Sequence, residues 1–293
     1  MKPTACTLIV GVLAALAPAV PAAVAETVAV VAAQSFYGDI AKQIGGAYIA
    51  AADVPMTPGQ DPHLFEPSPA IARQIADARI VIINGAHYDP WAEKLLKSSP
   101  KPTRIVIDAA RLTGTKHGDN PHIWYDPKTM PAVARAFADA LGKADPAHAA
   151  EYNANLTTTL AKLAAIDKRV AELKAKHGGK PVAATEPVAG PMTNALELVM
   201  RNERFQLAVM NETEPTARDI AAFERDLKNR NVKALIYNKQ VNAKLAQHMV
   251  ALAEKSKIPV VAVTETMPAD TSYVDWMLAT LDALDKALNG SNQ

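Results

Sequence analysis

Eight short apolar runs, separated by amphipathic stretches, constrain the fold of this chain more than any other feature of its sequence. The runs are not interrupted by regular polar alternation, which is typical of strands buried on both faces by crossover helices. They fall into two groups of four, so we predict an α/β fold of two pseudo-symmetric lobes, each a mostly parallel four-stranded sheet flanked by helices. The predicted strands cover residues 28–33, 49–54, 79–84 and 104–108, then 181–185, 205–210, 233–238 and 259–264.

The segment between the two groups predicts one long helix. Residues 147–177 contain neither glycine nor proline, and an Asp-Pro pair precedes them while two glycines follow. A helix of about 30 residues is roughly 45 Å long, enough to cross a domain. We therefore expect a rigid connecting helix at 146–178 between an N-terminal lobe at 26–145 and a C-terminal lobe at 179–293. A coiled coil is the less favoured alternative because the apolar stripe is short.

The first 25 residues have the order of a secretory signal peptide: Lys2, an apolar run at 8–16, and then small residues ending at Ala25. The run is shorter than the roughly 20 apolar residues that a membrane span requires, so we expect cleavage after Ala25 rather than anchoring. Cys6 lies before the cleavage point, which predicts a mature protein without a lipid anchor. The expected location is the periplasm.

Composition narrows the possible functions. The chain has 31 Lys plus Arg and 30 Asp plus Glu, so it lacks the strong positive field that nucleic acids or anionic lipids require. A single cysteine excludes a disulfide framework and cysteine-rich zinc or iron–sulfur sites. A metal site in this chain would therefore consist of histidines and carboxylates.

Two of the seven histidines follow a proline in similar phrases at the ends of predicted strands. His63 lies in DPHLFEP and His122 in NPHIWYDP. The proline restricts the backbone before each imidazole and so aims the ring. Both phrases follow strands of the first group, and the carboxyl edge of an open α/β sheet is where ligands bind.

The second group of strands contributes acids at matching positions. Glu186 follows the fifth predicted strand and Glu265 the eighth. A carboxylate at such a position becomes partly buried and then needs a cation, hydrogen bonds or a raised pKa. If the two sheet edges face each other, two imidazoles and two carboxylates converge, and one divalent cation brings their charge to zero. Either acid alone is more often a helix N-cap or a first-turn acid than a metal ligand.

The remaining histidines are weaker candidates. His87 also follows a strand end and could support or replace a ligand. The other four, which we expect to be solvent-exposed, are His117, His148, His177 and His248.

The sequence resembles the metal-binding solute-binding proteins of ABC importers, a group of zinc and manganese receptors with two lobes joined by one long helix. The resemblance extends over nearly all of the mature chain, and the two proline–histidine phrases are its most specific part. It implies that one divalent ion is bound between the lobes as cargo and is delivered to a membrane permease. It also implies that the metal ligands are His63, His122, Glu186 and Glu265. The family usually has Asp at the fourth position, so Glu265 departs from its pattern.

The resemblance leaves the metal open. Zinc receptors of the family tend to have a third histidine where this chain has Glu186, and many have a histidine-rich loop that here offers only His117 and Asp119. Two carboxylates that can each bind through both oxygens favour a harder cation such as Mn²⁺. Intrinsic affinity rises from Mn²⁺ to Zn²⁺, so Zn²⁺ is the alternative and Fe²⁺ also stays open.

Enzyme signatures are scarce in this sequence. It has no His-Glu-x-x-His helix, no Gly-x-Ser-x-Gly elbow and no phosphate-binding glycine loop. Four protein ligands would also leave little room for the open position of a hydrolytic metal. We therefore predict a monomeric receptor without enzymatic activity. The alternatives are an exported metal-dependent hydrolase with Glu186 or Glu265 as general base, and a receptor for an organic anion or metal chelate.

Overall fold

The computed structural model describes residues 27–53, 65–211, 213–240 and 243–290. The predicted signal peptide at 1–25 and His63 lie outside these ranges. Within them are eight strands: β1 Val28–Ala32, β2 Ile49–Asp53, β3 Ile80–Ile83, β4 Ile105–Asp108, β5 Pro181–Ala184, β6 Val199–Met200, β7 Leu235–Asn238 and β8 Val260–Val263.

The strands form two four-stranded sheets with the orders β2-β1-β3-β4 and β6-β5-β7-β8, and every pairing is parallel. The second order repeats the first with each number raised by four, which is the predicted pseudo-symmetry. Because all strands of a parallel sheet point the same way, the loops after them meet at one edge. This topology brings distant strand ends of each half together.

Helices surround both sheets. In chain order, the helices of the described residues are α1 Ser35–Gly45, α2 Pro69–Asp77, α3 Pro90–Ser98, α4 Ala109–Thr113, α5 Thr129–Ala144, α6 Ala149–His177, α7 Gly190–Ala195, α8 Glu203–Met210, α9 Ala217–Lys228, α10 Lys244–Lys255 and α11 Tyr273–Leu288. Capping side chains begin several of them; the Thr216 hydroxyl, for example, accepts from the Asp219 N–H at 3.2 Å. Among the described segments, no helix combines the length and apolar character needed to cross a bilayer.

The predicted long helix is confirmed as α6, which has 29 residues and a length of about 43 Å. A short 3-10 turn at Pro146–His148 leads into it, and Gly178 ends it. It packs against α1 and α5 of the first half and α11 of the second. The helix therefore lies along both halves of the molecule.

The sixth predicted strand, at 205–210, is wrong. These residues belong to helix α8, and the sixth strand is the two-residue pair Val199–Met200. Phe205 is buried against Phe223 of α9, with ring centroids 4.9 Å apart, while Leu207 is exposed. A six-residue apolar run carries no reliable period, so packing against α9 decided the helix.

The expected exposure of His177 is also wrong. Its ring is buried at the end of α6, where Nε2 lies 2.7 Å from Asp285 Oδ1 and Nδ1 lies 2.9 Å from the Lys180 ammonium. A buried polar ring needs such partners. His117 and His248 are exposed as predicted, and His148 is half-buried.

The two halves share one apolar core. Its largest cluster contains residues of both sheets and of α6, and it includes aromatic rings from each side of the junction. The ring centroids of Tyr125 and Trp276 are 5.6 Å apart, and those of Phe36 and Trp276 are 6.0 Å apart. Two smaller clusters lie on the other faces of the sheets. The halves are therefore packed together rather than separated by an open groove.

Candidate metal centre

The loop that carries His122 is anchored by buried hydrogen bonds. It connects α4 to a 3-10 turn at Ile123–Tyr125. Asn84, at the end of β3, donates from Nδ2 to the Pro121 carbonyl at 2.9 Å and accepts the Tyr37 hydroxyl at 2.8 Å. The side chain of His122 is itself buried. Its position is thus set by a neighbouring strand of the first sheet.

His122 contacts Asn120 on one side of its ring and Glu265 on the other. Nδ1 lies 2.7 Å from the Asn120 side-chain oxygen, and Nε2 lies 3.5 Å from Glu265 Oε2. The ring therefore links a group of its own loop to a carboxylate of the second half of the chain.

Glu265 lies two residues after the end of β8, is buried, and accepts hydrogen bonds from several donors. Its Oε2 accepts the Tyr88 hydroxyl at 3.3 Å, and its Oε1 accepts the Asn238 amide at 2.8 Å. The backbone N–H of Glu265 donates to the side-chain oxygen of Gln240. Hydrogen bonds of this kind fix the orientation of the carboxylate.

Asn238 brings the two predicted acids together. Strand β7, which ends at Asn238, lies between β5 and β8, the strands that precede Glu186 and Glu265. The Asn238 Nδ2 donates to Glu186 Oε2 at 2.6 Å and to Glu265 Oε1 at 2.8 Å. Both hydrogens of one amide are thus used to hold two carboxylates. Two carboxylates held by one amide concentrate negative charge, which favours binding of a cation.

The separation of His122 and Glu265 suits a metal ion. Two ligand atoms 3.5 Å apart, each about 2.1 Å from a shared ion, subtend an angle of about 110° at that ion. An unprotonated imidazole nitrogen and a carboxylate oxygen repel each other unless a cation or a proton lies between them. Neutral imidazole and carboxylate are also the donors that divalent transition metals take.

The described residues by themselves do not form a complete coordination shell for a metal ion. Among these residues, no three histidine, cysteine or carboxylate side chains are close enough to share an ion. His122 and Glu265 are adjacent, whereas the half-buried Glu186 is directed to Asn238. His63, the fourth predicted ligand, lies outside the described residues. The four-residue ligand set stays a prediction.

The loop after β3 contributes Tyr88 rather than His87 to this centre. Gly85, Ala86 and His87 have φ values of 74°, 50° and 66°, and the Tyr88 N–H donates to the Gly85 carbonyl at 3.0 Å. The resulting left-handed turn directs the tyrosine inward to Glu265. The His87 side chain is exposed, with its ring centroid 5.0 Å from that of the exposed His117.

Burial controls the protonation of groups beneath the centre. It raises the pKa of Asp89 to about 7, although the N–H groups of Asn84 and Gly85 donate to this carboxyl at 2.7 and 2.9 Å. Burial also raises the pKa of Tyr125 and Tyr273 well above the ordinary tyrosine value. Both tyrosines therefore stay neutral hydroxyl donors at physiological pH.

Four residues that position the predicted ligands are not predicted from the sequence: Asn120, Asn238, Gln240 and Tyr88. Asn238 had a usable signal, since it is a polar residue at the end of an apolar strand, and Asn84 likewise follows the last residue of β3. No sequence signal indicated Tyr88 or Gln240, because each contacts Glu265 only in the folded structure.

Comparison with known proteins identifies relatives over most of the chain. A family model described as zinc-uptake complex component A, periplasmic (ZnuA), matches residues 30–287. The manganese ABC transporter substrate-binding lipoprotein ScaA of Streptococcus gordonii is 25% identical over 283 residues, covering 88% of each protein.

Solved structures share the fold. The periplasmic zinc-binding protein TroA of Treponema pallidum has a TM-score of 0.73 at 18% identity, covering 89% of this chain and 99% of TroA. The solute-binding protein FpvC of Pseudomonas aeruginosa, in complex with Ni²⁺, has a TM-score of 0.71 at 20% identity, covering 92% of this chain and 99% of FpvC. The two-sheet architecture joined by one long helix is therefore common to these proteins and this chain.

Proposed function

The chain belongs to the periplasmic zinc-uptake complex component A family, and from this premise we propose that it binds one divalent transition-metal ion through His63, His122, Glu186 and Glu265. Proteins of this family are solute-binding receptors. The chain is accordingly a metal receptor of an ABC importer, its cargo is the metal ion, and its partner is the membrane permease. The hydrolase alternative is wrong for the same reason.

One observation carries the proposed ligand set. His122 of the first half and Glu265 of the second lie 3.5 Å apart in a buried site, at a separation that one shared ion fits. Asn238 donates to both Glu186 and Glu265, so it holds the two carboxylates beside one amide group. Two neutral imidazoles, two carboxylates and a divalent ion sum to zero charge, which a buried site tolerates best.

For the cargo we propose Mn²⁺ or Zn²⁺, with Mn²⁺ favoured. The reason is the pair of carboxylates, which can supply up to four oxygen donors to a hard cation. The relatives named above bind manganese, zinc or nickel. Zn²⁺ is expected to bind more tightly than Mn²⁺ in vitro whichever ion is carried in the cell.

We also propose that the protein acts in the periplasm, after cleavage following Ala25 and without an acyl anchor. The support is its one cysteine, Cys6, which precedes that cleavage point, whereas the Streptococcus gordonii relative is a lipoprotein. Residues 26–145 and 179–293 would then be the two lobes, and 146–178 the connecting helix. The intact mass of the native protein tests the cleavage and the anchor together.

The ligand set is tested by His122→Ala and Glu265→Gln. Each is expected to weaken binding of Zn²⁺ and Mn²⁺ at least 100-fold, since loss of a ligand should cost no less than the roughly 10–100-fold that loss of a supporting residue costs. Calorimetric titration measures the affinity, and elemental analysis with anomalous scattering at two metal edges identifies the native ion. Metal-induced thermal stabilisation should disappear together with binding.

The matched control is His248→Ala, which removes an exposed imidazole from α10. It should bind one ion per chain as the wild type does. A His122→Ala protein with wild-type metal content would contradict the assignment.

A further inference from the structure

We propose that Asn120 is a positioning residue that couples the orientation of the His122 ring to the contact between the two lobes. The inference rests on the proposed function, because it assigns a role in presenting His122 to the metal. It adds to the ligand set one residue, Asn120, through which the position of the second lobe affects the orientation of the His122 ring.

The polarity of the Asn120 amide is set by two backbone partners. Its oxygen accepts the His122 N–H at 3.1 Å, and its nitrogen donates to the Pro187 carbonyl at 2.7 Å. An amide oxygen only accepts and an amide nitrogen only donates, so the reversed orientation would oppose donor to donor and acceptor to acceptor.

This polarity determines which ring nitrogen carries the proton. The same Asn120 oxygen lies 2.7 Å from His122 Nδ1, so Nδ1 is the donor to it. Nε2 is then the ring nitrogen without a proton in the neutral imidazole, and it is the one that faces Glu265. A metal needs its lone pair at that position, so Asn120 holds His122 in the ligand-competent tautomer.

The other end of Asn120 reaches the opposite lobe. Pro187, whose carbonyl accepts the amide, directly follows the proposed ligand Glu186. One side chain thus connects the histidine loop of the first lobe to the glutamate loop of the second. The connection is only one hydrogen bond long, so a small separation of the lobes breaks it.

Gly190 provides independent evidence that the fold accommodates the contact between Asn120 and Pro187. A Cβ atom placed on Gly190 would lie 2.7 Å from the Asn120 amide nitrogen, closer than such atoms approach in proteins. The backbone of Gly190 does not have the positive φ that would itself require glycine. Its lack of a side chain therefore leaves space for the Asn120 amide.

The consequence is a coupling between lobe contact and ligand geometry. When the lobes separate, Asn120 loses one of the two partners that set its orientation, so the acceptor that holds the His122 tautomer is fixed less firmly. Metal binding favours the contact, and by thermodynamic reciprocity the contact favours metal binding. Opening of the lobes then weakens the site without displacing the His122 backbone.

The test uses Asn120→Ala, Asn120→Asp and Gly190→Ala in the full-length chain, with Zn²⁺ as the probe. Long-range proton–nitrogen NMR spectra of metal-free protein report the His122 tautomer, and stopped-flow with a chelator reports Zn²⁺ dissociation. The matched control is Asn194→Asp, an exposed asparagine on α7.

Asn120→Ala removes both contacts. It is expected to lose the Nδ1–H tautomer and to weaken Zn²⁺ binding about 10–100-fold. Gly190→Ala should show the same pair of changes by displacing Asn120, which also provides the measurement if Asn120→Ala does not fold. Retention of both the tautomer and affinity within twofold of wild type in these variants would overturn the proposal.

Asn120→Asp separates the two contacts, because a carboxylate still accepts from His122 but cannot donate to Pro187. It is expected to keep the Nδ1–H tautomer while Zn²⁺ dissociates at least about tenfold faster. Wild-type dissociation in this variant would overturn the coupling to the opposite lobe. Failure of the proposed function is distinguishable, since His122→Ala would then bind Zn²⁺ as the wild type does whatever the tautomer spectra report.

Discussion

At the residue scale, the centre depends on amide side chains that bind no metal themselves. Asn84 holds the Pro121 carbonyl, Asn120 holds the His122 ring, and Asn238 holds both Glu186 and Glu265. An amide carries a donor and an acceptor without net charge, so it can orient a carboxylate or an imidazole and leave the charge balance unchanged. The only charges that the metal ion then has to neutralise are those of the two carboxylates.

Asp89 gives a residue-scale prediction about pH. Its pKa is about 7 in the folded protein against an ordinary 3.8, because the carboxyl is buried. The folded state therefore binds the Asp89 proton more tightly than the unfolded state does. The stabilisation of the folded state by this protonation is complete below about pH 4 and is lost as the pH rises through about 7. The stability advantage of wild type over Asp89→Asn should accordingly shrink between about pH 4 and pH 7, by on the order of 1 kcal/mol per pH unit, and then level off above about pH 7.

Urea unfolding in the presence of a chelator measures this difference at each pH. Comparison with Asp89→Asn cancels the titration of all other groups. Parallel stability curves for the two proteins across this range would contradict the raised pKa.

At the element scale, the left-handed turn at Gly85, Ala86 and His87 is the strained part of the site. Two of the three residues have a Cβ atom at positive φ, which costs roughly 1–2 kcal/mol per residue. The turn nonetheless allows Tyr88 to reach Glu265 and Asp89 to accept the Asn84 N–H. Strain is thus retained next to the proposed ligand, as is common at functional sites.

The Ala86→Gly variant tests this strain. Glycine adopts positive φ without a Cβ penalty, and this gain exceeds its greater entropy in the unfolded chain. We expect the free energy of unfolding of metal-free protein to rise by about 0.5–1 kcal/mol, measured by urea denaturation.

The control for this variant is Ala165→Gly, an exposed position inside α6. There the same substitution should lower stability by about 1 kcal/mol, because the native φ is helical. Equal destabilisation at both positions would show that the turn is unstrained.

At the scale of the whole molecule, the two halves are held by contacts beneath the metal centre. Tyr125 donates to the Thr264 carbonyl at 2.8 Å, and Tyr273 donates to the Trp124 carbonyl at 2.6 Å. Along the long helix, His177, Lys176 and Arg169 of α6 pair with Asp285 of α11, and they hold the pKa of that carboxyl well below its ordinary value. These contacts favour small shifts of the lobes over wide hinge opening.

Metal binding should therefore change the overall dimensions little. We expect the radius of gyration, measured by X-ray scattering with Mn²⁺ and with a chelator, to differ by less than about 1 Å, as for pre-organised binding proteins. Tyr125→Phe, which removes one hydrogen bond between the halves and keeps the ring, should enlarge this difference and cost about 1 kcal/mol. A change of several ångströms in the wild type would instead identify a hinge-bending receptor.

The sequence by itself determined the architecture and the edges at which a ligand could bind. Seven of the eight predicted strands and the long helix follow from local features, namely apolar runs without alternation and a glycine- and proline-free amphipathic segment. Polar residues at strand ends were equally readable, because parallel strands must end at a common edge. These signals lie within short segments of the sequence, so they can be recognised without knowing which residues pack against those segments.

Only the tertiary structure decided the features that depend on distant neighbours. Packing on Phe223 made a helix of residues 205–210, and the pairing with Asp285 buried His177, which no local pattern indicated. The roles of Asn120 and Tyr88 likewise depend on partners 67 and 177 residues away. A hydrogen bond between two segments that are far apart in the sequence produces no periodic pattern in either segment. Such contacts could therefore be recognised only in the folded structure, where the two segments lie side by side.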